Sequence, residues 1–297
     1  MIDKVIPNFL LVGATKAATT WLYQRLNEHP EIYVPSLKEV NYFSRRYDRP
    51  QEWYLSFFTD VKEEKAIGEL SPSYFTSAEA PSRIKAFNPN MRLIFMLRNP
   101  IQRVYSHYCM ELRYNTVSED IEQELNLDSI IVRESLYYQQ ITKYLELFPR
   151  ENLKFIIYDD IKTNPQKVLV DLYNFLQVDP NYMNSAIHEQ TYIKQPRQKF
   201  EKIYTLLVAI YRWINNNNEW GRRILSTLKD RGFNDKFHDL NSTEKSYPQI
   251  SPTKKEQLKE FYQTDIKQLA QFLERDLSSW LSPNQDPLSI EQTTADN

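Results

Sequence analysis

The chain has 297 residues, with 37 Lys and Arg against 39 Asp and Glu and a formal net charge of −2. That balance excludes a surface built to coat nucleic acid, while a local basic cleft stays compatible with it. Hydrophobic residues at 41% supply a core and exclude disorder, and the single cysteine, Cys109, excludes a disulfide framework or a zinc site of several thiolates.

Residues 8–12 (NFLLV) form a short apolar run ended by Gly13, the pattern of a buried strand. Over 19–28, Trp21, Leu22, Arg25 and Leu26 recur at helical spacing, and His29-Pro30 stops the helix. Strands are expected at 65–70 (KAIGEL), 92–97 (RLIFML) and 153–158 (LKFIIY), between helical patterns at 51–58, 78–87, 101–113, 136–147 and 165–176. Strands that are nearly all apolar and alternate with helices imply a parallel sheet covered on both faces, an α/β fold.

After Lys199 the pattern turns helical, with Phe200, Ile203, Tyr204, Leu207, Ile210 and Tyr211 on one stripe and a second helix after Trp220. A loop over 231–252, at roughly 20 residues the length of a lid or binding segment, precedes a last helix at 252–272. One domain over 1–281 with a helical C-terminal extension is expected, followed by a flexible tail at 282–297. Residues 1–7 lack the basic segment and apolar run that export requires, and no 18-residue apolar stretch occurs. With a single cysteine, this predicts a cytoplasmic protein with no membrane partner.

The turn after the first strand reads Gly13-Ala14-Thr15-Lys16-Ala17-Ala18-Thr19-Thr20-Trp21. Free N–H groups at a helix start attract anions, Lys16 adds a mobile charge, and Thr19 and Thr20 add hydroxyl donors. This describes a phosphate or sulfate cradle. The bland alternative is a solvated lysine with Thr19 as a helix cap. A Walker A loop needs G-x-x-x-x-G-K-[ST]; here Lys16 follows Gly13 by three residues and Ala17 follows it, which disfavours a nucleotide kinase or triphosphatase.

A second segment, Arg98-Asn99-Pro100-Ile101-Gln102-Arg103-Val104-Tyr105-Ser106-His107-Tyr108, also follows an apolar strand and opens a helix. Arg98 stands at a strand's carboxyl end, where open parallel sheets bind ligands. An arginine and a serine so spaced suit one phosphate, Arg98 bidentate and Ser106 with a single bond. Arg103 and Arg113 add positive potential or serve as ion-pair partners on the helix.

The two segments resemble the 5′-phosphosulfate loop and the 3′-phosphate segment of the PAPS-dependent sulfotransferases, PAPS being 3′-phosphoadenosine 5′-phosphosulfate. The family's P-K-x-G-T-T-W reads T-K-A-A-T-T-W at 15–21, and its R-[DN]-P-x-x-R-x-x-S-x-Y is matched throughout at 98–108. The sequence K-E-V-N-Y-F at 38–43 is similar to the K-E-x-x-[FY]-F of the branch that holds the glycan sulfotransferases and many bacterial relatives. G-E-L-S-P-S-Y-F at 68–75 is similar to its E-K-[ST]-P-x-Y-F, and Tyr247-Pro248 with E-R-D-L-S-S-W at 274–280 to its common ending.

The resemblance implies a P-loop-like three-layer fold and sulfonate transfer from PAPS, releasing PAP, with no metal. It implies that Lys16 meets the transferring sulfonate, that Ala17, Ala18, Thr19, Thr20 and Trp21 form the 5′-phosphate loop, and that Arg98 and Ser106 hold the 3′-phosphate. Lys245 and Tyr247 become candidate donor contacts, and Lys194 and Arg197 stay open between acceptor contact and solvation. Ala18 replaces the family's glycine and Thr15 its proline. Residue 18 is expected in helical backbone, where alanine carries no strain.

A hydroxyl acceptor needs a proton acceptor, for which Glu39, Glu69 and His107 are the candidates. Glu39 is the choice by resemblance; its alternative is an ion pair with Lys38 or Arg45. Glu69 orients Lys16 or meets the acceptor, and His107 packs or hydrogen-bonds from another side of its helix. The expected acceptor is the hydroxyl, or alternatively an amine, of a small molecule of natural-product type. A glycan or a carrier-bound acyl chain is the alternative within the family, and a silent nucleotide-binding protein the alternative outside it.

Overall fold

The structure, a computed structural model, describes residues 5–182, 197–198, 242–243 and 246–282. Five strands, β1 (Phe9–Gly13), β2 (Ile32–Tyr33), β3 (Ala66–Leu70), β4 (Arg92–Leu97) and β5 (Leu153–Ile157), form one parallel sheet in the order β2-β3-β1-β4-β5. β1 is central and buried at every position, as its unbroken apolar run requires. In the register of β1 and β3, Phe9 lies opposite Gly68, and a Cβ on Gly68 would stand 2.2 Å from the Phe9 carbonyl oxygen. Only glycine lets these two backbones approach.

Helices cover both faces. Leu22 and Leu26 of α1 (Thr19–Glu28) and Leu169 and Leu172 of α9 (Pro165–Leu176) share a core cluster with Leu11, Ile94, Met96 and Ile156 of the sheet. The alternate residues of the strands face the other way. There Phe95 stacks on Phe155 and meets Tyr144 of α7 (Tyr137–Leu145), while Phe155 meets Phe272 of α10 (Pro252–Leu273). The three-layer α/β reading with a central parallel sheet therefore holds, as does a C-terminal helix.

The remaining helices are α2 (Gln51–Leu55), α3 (Ala80–Phe87), α4 (Pro100–Arg113), α5 (Ile121–Glu124), α6 (Ile130–Arg133) and α8 (Tyr158–Thr163). The helix expected over 51–58 is α-helical only to Leu55 and tightens into a 3₁₀ turn at Ser56–Phe58, a common way for a helix to end. The strand expected to reach residue 158 stops at Ile157, because Tyr158 opens α8. β2 has no counterpart in the expectations; two residues are too few for a period.

The chain packs as two compact units, each drawn from separate stretches of sequence. The first comprises 1–103, 133–192 and 258–297 and holds the five-stranded sheet. The second comprises 104–132 and 193–257. In it, Gln249 donates to the Tyr105 hydroxyl at 2.7 Å, the Ser251 N–H donates to Glu122 at 3.1 Å, and Arg197–Gln198 pairs antiparallel with Ser242–Thr243. The helices expected between 200 and 230, most of the 231–252 loop with Lys245, Lys194, and the tail beyond 282 lie outside the described residues.

Candidate active site

β1 and β4 are neighbours, but the chain leaves β1 toward β2 and β3 and leaves β4 toward β5. Their carboxyl ends therefore flank a topological switch point, the place where open α/β sheets bind ligands. The lysine-bearing turn follows β1 and Arg98 follows β4, so the topology brings both sequence motifs to one edge.

Gly13 begins the turn at φ +147°, and a Cβ there would lie 2.5 Å from Phe75 Cβ. The Ala14 N–H donates to the Met96 carbonyl at 2.8 Å, tying the turn to β4. Lys16 and Ala18 both sit in left-handed backbone at φ 68°, with Ala17 fully buried between them. The helical backbone expected at Ala18 is thus corrected. The chain makes this left-handed step between the buried Ala17 and the first residue of α1, and an alanine in it is strained by ~1–2 kcal/mol.

Turns of this kind gather successive N–H groups around an anion. Ala18 is also the N-cap of α1 and provides no side-chain cap to the first N–H groups of the helix. Thr19 lies inside the helix, Trp21 packs into the core cluster, and Thr20 is exposed, its Oγ1 accepting from Lys38 Nζ at 2.7 Å.

Arg98 is only 2% exposed. Its Nε donates to Gln102 Oε1 at 3.2 Å, another guanidinium nitrogen donates to the Lys16 carbonyl at 3.4 Å, and the group lies 4.6 Å over the Tyr158 ring. Its own carbonyl accepts from the Tyr137 hydroxyl at 2.8 Å. Asn99 caps α4, its Oδ1 accepting from the N–H groups of Ile101 and Gln102 at 3.0 and 3.3 Å, and Pro100 follows as a residue suited to the first turn. Asn99 also donates to the Trp280 carbonyl at 3.4 Å, which ties in the C-terminal E-R-D-L-S-S-W segment.

Other members of the second motif have other tasks. Arg103 is buried, donating to Ser135 and lying 3.6 Å from Glu134, and so is an ion-pair partner in the interior. In the second unit Ser106 is buried on α4, His107 lies 3.5 Å from Glu111 one turn along the helix, and Tyr247 is buried.

In the 38–43 segment Glu39 is exposed and left-handed at φ 66°, and the buried Asn41 is left-handed at φ 56°. The Glu39 N–H donates to the Leu70 carbonyl at 3.1 Å, which holds it against the end of β3. Glu69 is 1% exposed and accepts from Ser71 Oγ at 2.6 Å and from the Tyr74 hydroxyl at 2.5 Å. Burial pushes its carboxyl up to about 7; the two donated bonds oppose this and the charge of Glu39 adds to it.

Sequence reasoning missed Lys38, considered only as an ion-pair partner for Glu39; its reach to Thr20 depends on how two distant segments fold together. It also missed Asn41 and Ser71, although Ser71 lies in the quoted S-P-x-Y segment. Among the described residues, no group of three or more His, Cys, Asp or Glu is arranged to hold a metal ion. None of the described helices is long and apolar enough to cross a membrane.

Known proteins resemble the chain to different extents. The chain is 24% identical to the membrane-associated sulfotransferase kil1 of Dictyostelium discoideum, over 71% of this chain and 67% of that one. It is 29% identical to human heparan sulfate glucosamine 3-O-sulfotransferase 6, over 57% of this chain, and spans only about half (52%) of that protein's length. In fold, the crystal structure of a sulfotransferase from Alicyclobacillus acidocaldarius matches with a TM-score of 0.68 at 22% identity, covering 94% of this chain and all (100%) of that one. The sulfotransferase domain matches residues 7–222, well over half of the sequence, and the chain belongs to that family.

Proposed function

We propose that the protein transfers a sulfonate group from PAPS to a hydroxyl of a small-molecule acceptor, releasing PAP and the sulfated product. The observation that carries this reading is the bond from the buried Arg98 guanidinium to the Lys16 carbonyl. It joins a strand-end arginine to an uncapped, lysine-bearing helix start. Two anion-binding elements so joined suit a ligand that is phosphorylated at two separate places.

In this reading the turn from Lys16 to Thr20 binds the 5′-phosphate through its N–H groups, and Lys16 stabilises the charge that develops on the departing phosphate oxygen. Arg98, with Ser106, takes the 3′-phosphate. Lys38 brings a second ammonium to the same helix start by way of Thr20. The acceptor oxygen bonds to sulfur, the bond from sulfur to the phosphate oxygen breaks, and the hydroxyl proton passes to the Glu39 carboxylate. The acidic net charge favours a small acceptor over a polyanion.

A glycan hydroxyl is the second reading. It is favoured by the partial likeness to the heparan sulfate enzyme and by the exposed Arg45 and Arg49 just after Glu39. Calorimetry without magnesium tests the donor: PAP should bind more tightly than AMP, and equal binding overturns the reading. Mass spectrometry of an acceptor library with PAPS, heparan oligosaccharides included, then separates the two acceptors by the species that gains a sulfonate.

A further inference from the structure

The segment that presents Glu39 is held by a buried carboxylate that the transfer itself does not use. Ser71 Oγ accepts from the Asn41 N–H at 2.8 Å and, having one proton, donates it to Glu69 at 2.6 Å. The Tyr74 hydroxyl accepts from the Phe43 N–H at 3.3 Å and donates to the other oxygen of Glu69 at 2.5 Å. Two relays with fixed polarity therefore run from one carboxylate to two backbone N–H groups of the 41–43 turn. We propose that Glu69 is a positioning residue that aims the Glu39 carboxylate by fixing this turn through Ser71 and Tyr74. The proposal rests on the reading of Glu39 as proton acceptor.

Three observations support it. Glu39 and Asn41 occupy left-handed backbone, which residues with a Cβ keep only where their surroundings over-determine it. The surroundings do so. Besides the two relays, the Glu39 N–H is bound to Leu70, Asn41 Nδ2 donates to the Glu39 carbonyl at 2.8 Å, and Ser73 Oγ donates to Asn41 Oδ1 at 2.5 Å. Second, Glu69 is 1% exposed, which removes it from direct contact with an acceptor arriving from solvent. Third, both neighbours need an acceptor, and the ionised carboxylate, which prevails above about pH 7, offers one on each oxygen. An amide offers an acceptor on one side and a donor on the other, so Glu69→Gln must break one relay.

The test uses the full chain, PAPS, and the hydroxyl compound that gains a sulfonate in the library screen. Tyr74→Phe and Ser71→Ala each remove one relay and leave the buried carboxylate in place. Each should lower kcat by about ten- to a hundredfold, the scale of a misplaced reacting group. KM for the acceptor and Kd for PAP should stay within about twofold. Ser71→Thr, which restores the hydroxyl, should recover the rate. In a Glu39→Gln background Tyr74→Phe should cause no further loss, because its whole effect passes through Glu39. PAP binding by calorimetry certifies that each variant is folded, and Ser71→Ala serves if Tyr74→Phe is not.

A wild-type kcat for both relay variants overturns the proposal, as does an undiminished Tyr74→Phe effect in the Glu39→Gln background. In either case a slow Glu39→Gln enzyme leaves the proton-acceptor reading standing. Should Glu39→Gln turn over at the wild-type rate, the reading itself falls and the proposal falls with it.

Discussion

The turn over 13–21 and the segment over 38–43 each place two non-glycine residues in left-handed backbone, yet they are held by different means. Lys16 and Ala18 are held mainly by packing and backbone bonds, a glycine against Phe75, the bond from Ala14 to Met96 and the burial of Ala17, with one side-chain bond from Arg98 to the Lys16 carbonyl. Glu39 and Asn41 are set by side chains, with the Glu69, Ser71 and Tyr74 relays beneath them. A cradle of backbone N–H groups tolerates changes in most of its side chains, because the binding groups belong to the fold. A segment propped by side chains loses its geometry when one hydroxyl is removed. In the proposed function, donor binding and acceptor activation therefore answer to different substitutions.

The sharpest break of that comparison is Glu39→Gln. Turnover should fall by ~10²–10⁴, the usual contribution of a general base, while PAP affinity stays level. Single-turnover kinetics beside calorimetry separate the two; a loss of PAP affinity would erase the distinction between the regions. Next comes Arg98→Ala, which should weaken PAP by ~30- to 1,000-fold, or ~2–4 kcal/mol, through loss of a charged bidentate contact. Ser106→Ala should cost about 1 kcal/mol, since one neutral donor goes. Titration calorimetry ranks the pair, and the reverse order would reassign the 3′-phosphate.

The third prediction concerns stability. The folded Glu69 carboxyl titrates at about 7, above its unfolded range, so between pH ~4.5 and ~7 the folded protein binds more protons than the unfolded chain. Its contribution is complete below pH ~4.5 and is lost as pH rises through ~7, a fall of roughly 3 kcal/mol. Urea unfolding across this range should show that slope in the wild type and lose it in Glu69→Gln. The smallest effect is on the donor side. Ala18→Gly removes a strained left-handed alanine and should raise stability by ~0.5–1 kcal/mol after glycine's entropy cost, or about 1–3 °C in Tm. PAP affinity should hold, as the N–H groups stay in place. Calorimetric scans check it, and a fall in Tm would show that the alanine is accommodated without strain.

The strand, turn and helix at 8–28, the apolar strands at 65–70, 92–97 and 153–158, and the parallel sheet were all legible in the sequence. Runs of buried residues and helical spacing are local patterns, and a sheet covered on both faces leaves its strands uniformly apolar. The two anion motifs were legible too, because a strand end followed by Lys16 or by Arg98 and a helix start lies within a dozen residues. Tertiary contacts decided the rest. Residue 13 must be glycine because a Cβ there would strike Phe75, Arg103 turns inward because Ser135 and Glu134 await it, and Lys38 reaches Thr20 because β3 carries its segment to the sheet edge. Glu69 is an anchor only because Asn41 and Phe43 stand where its two hydroxyl neighbours can hold them. Each of these depends on residues about 20 to 60 positions apart, where spacing along the chain carries no signal and only the closed fold determines which atoms meet.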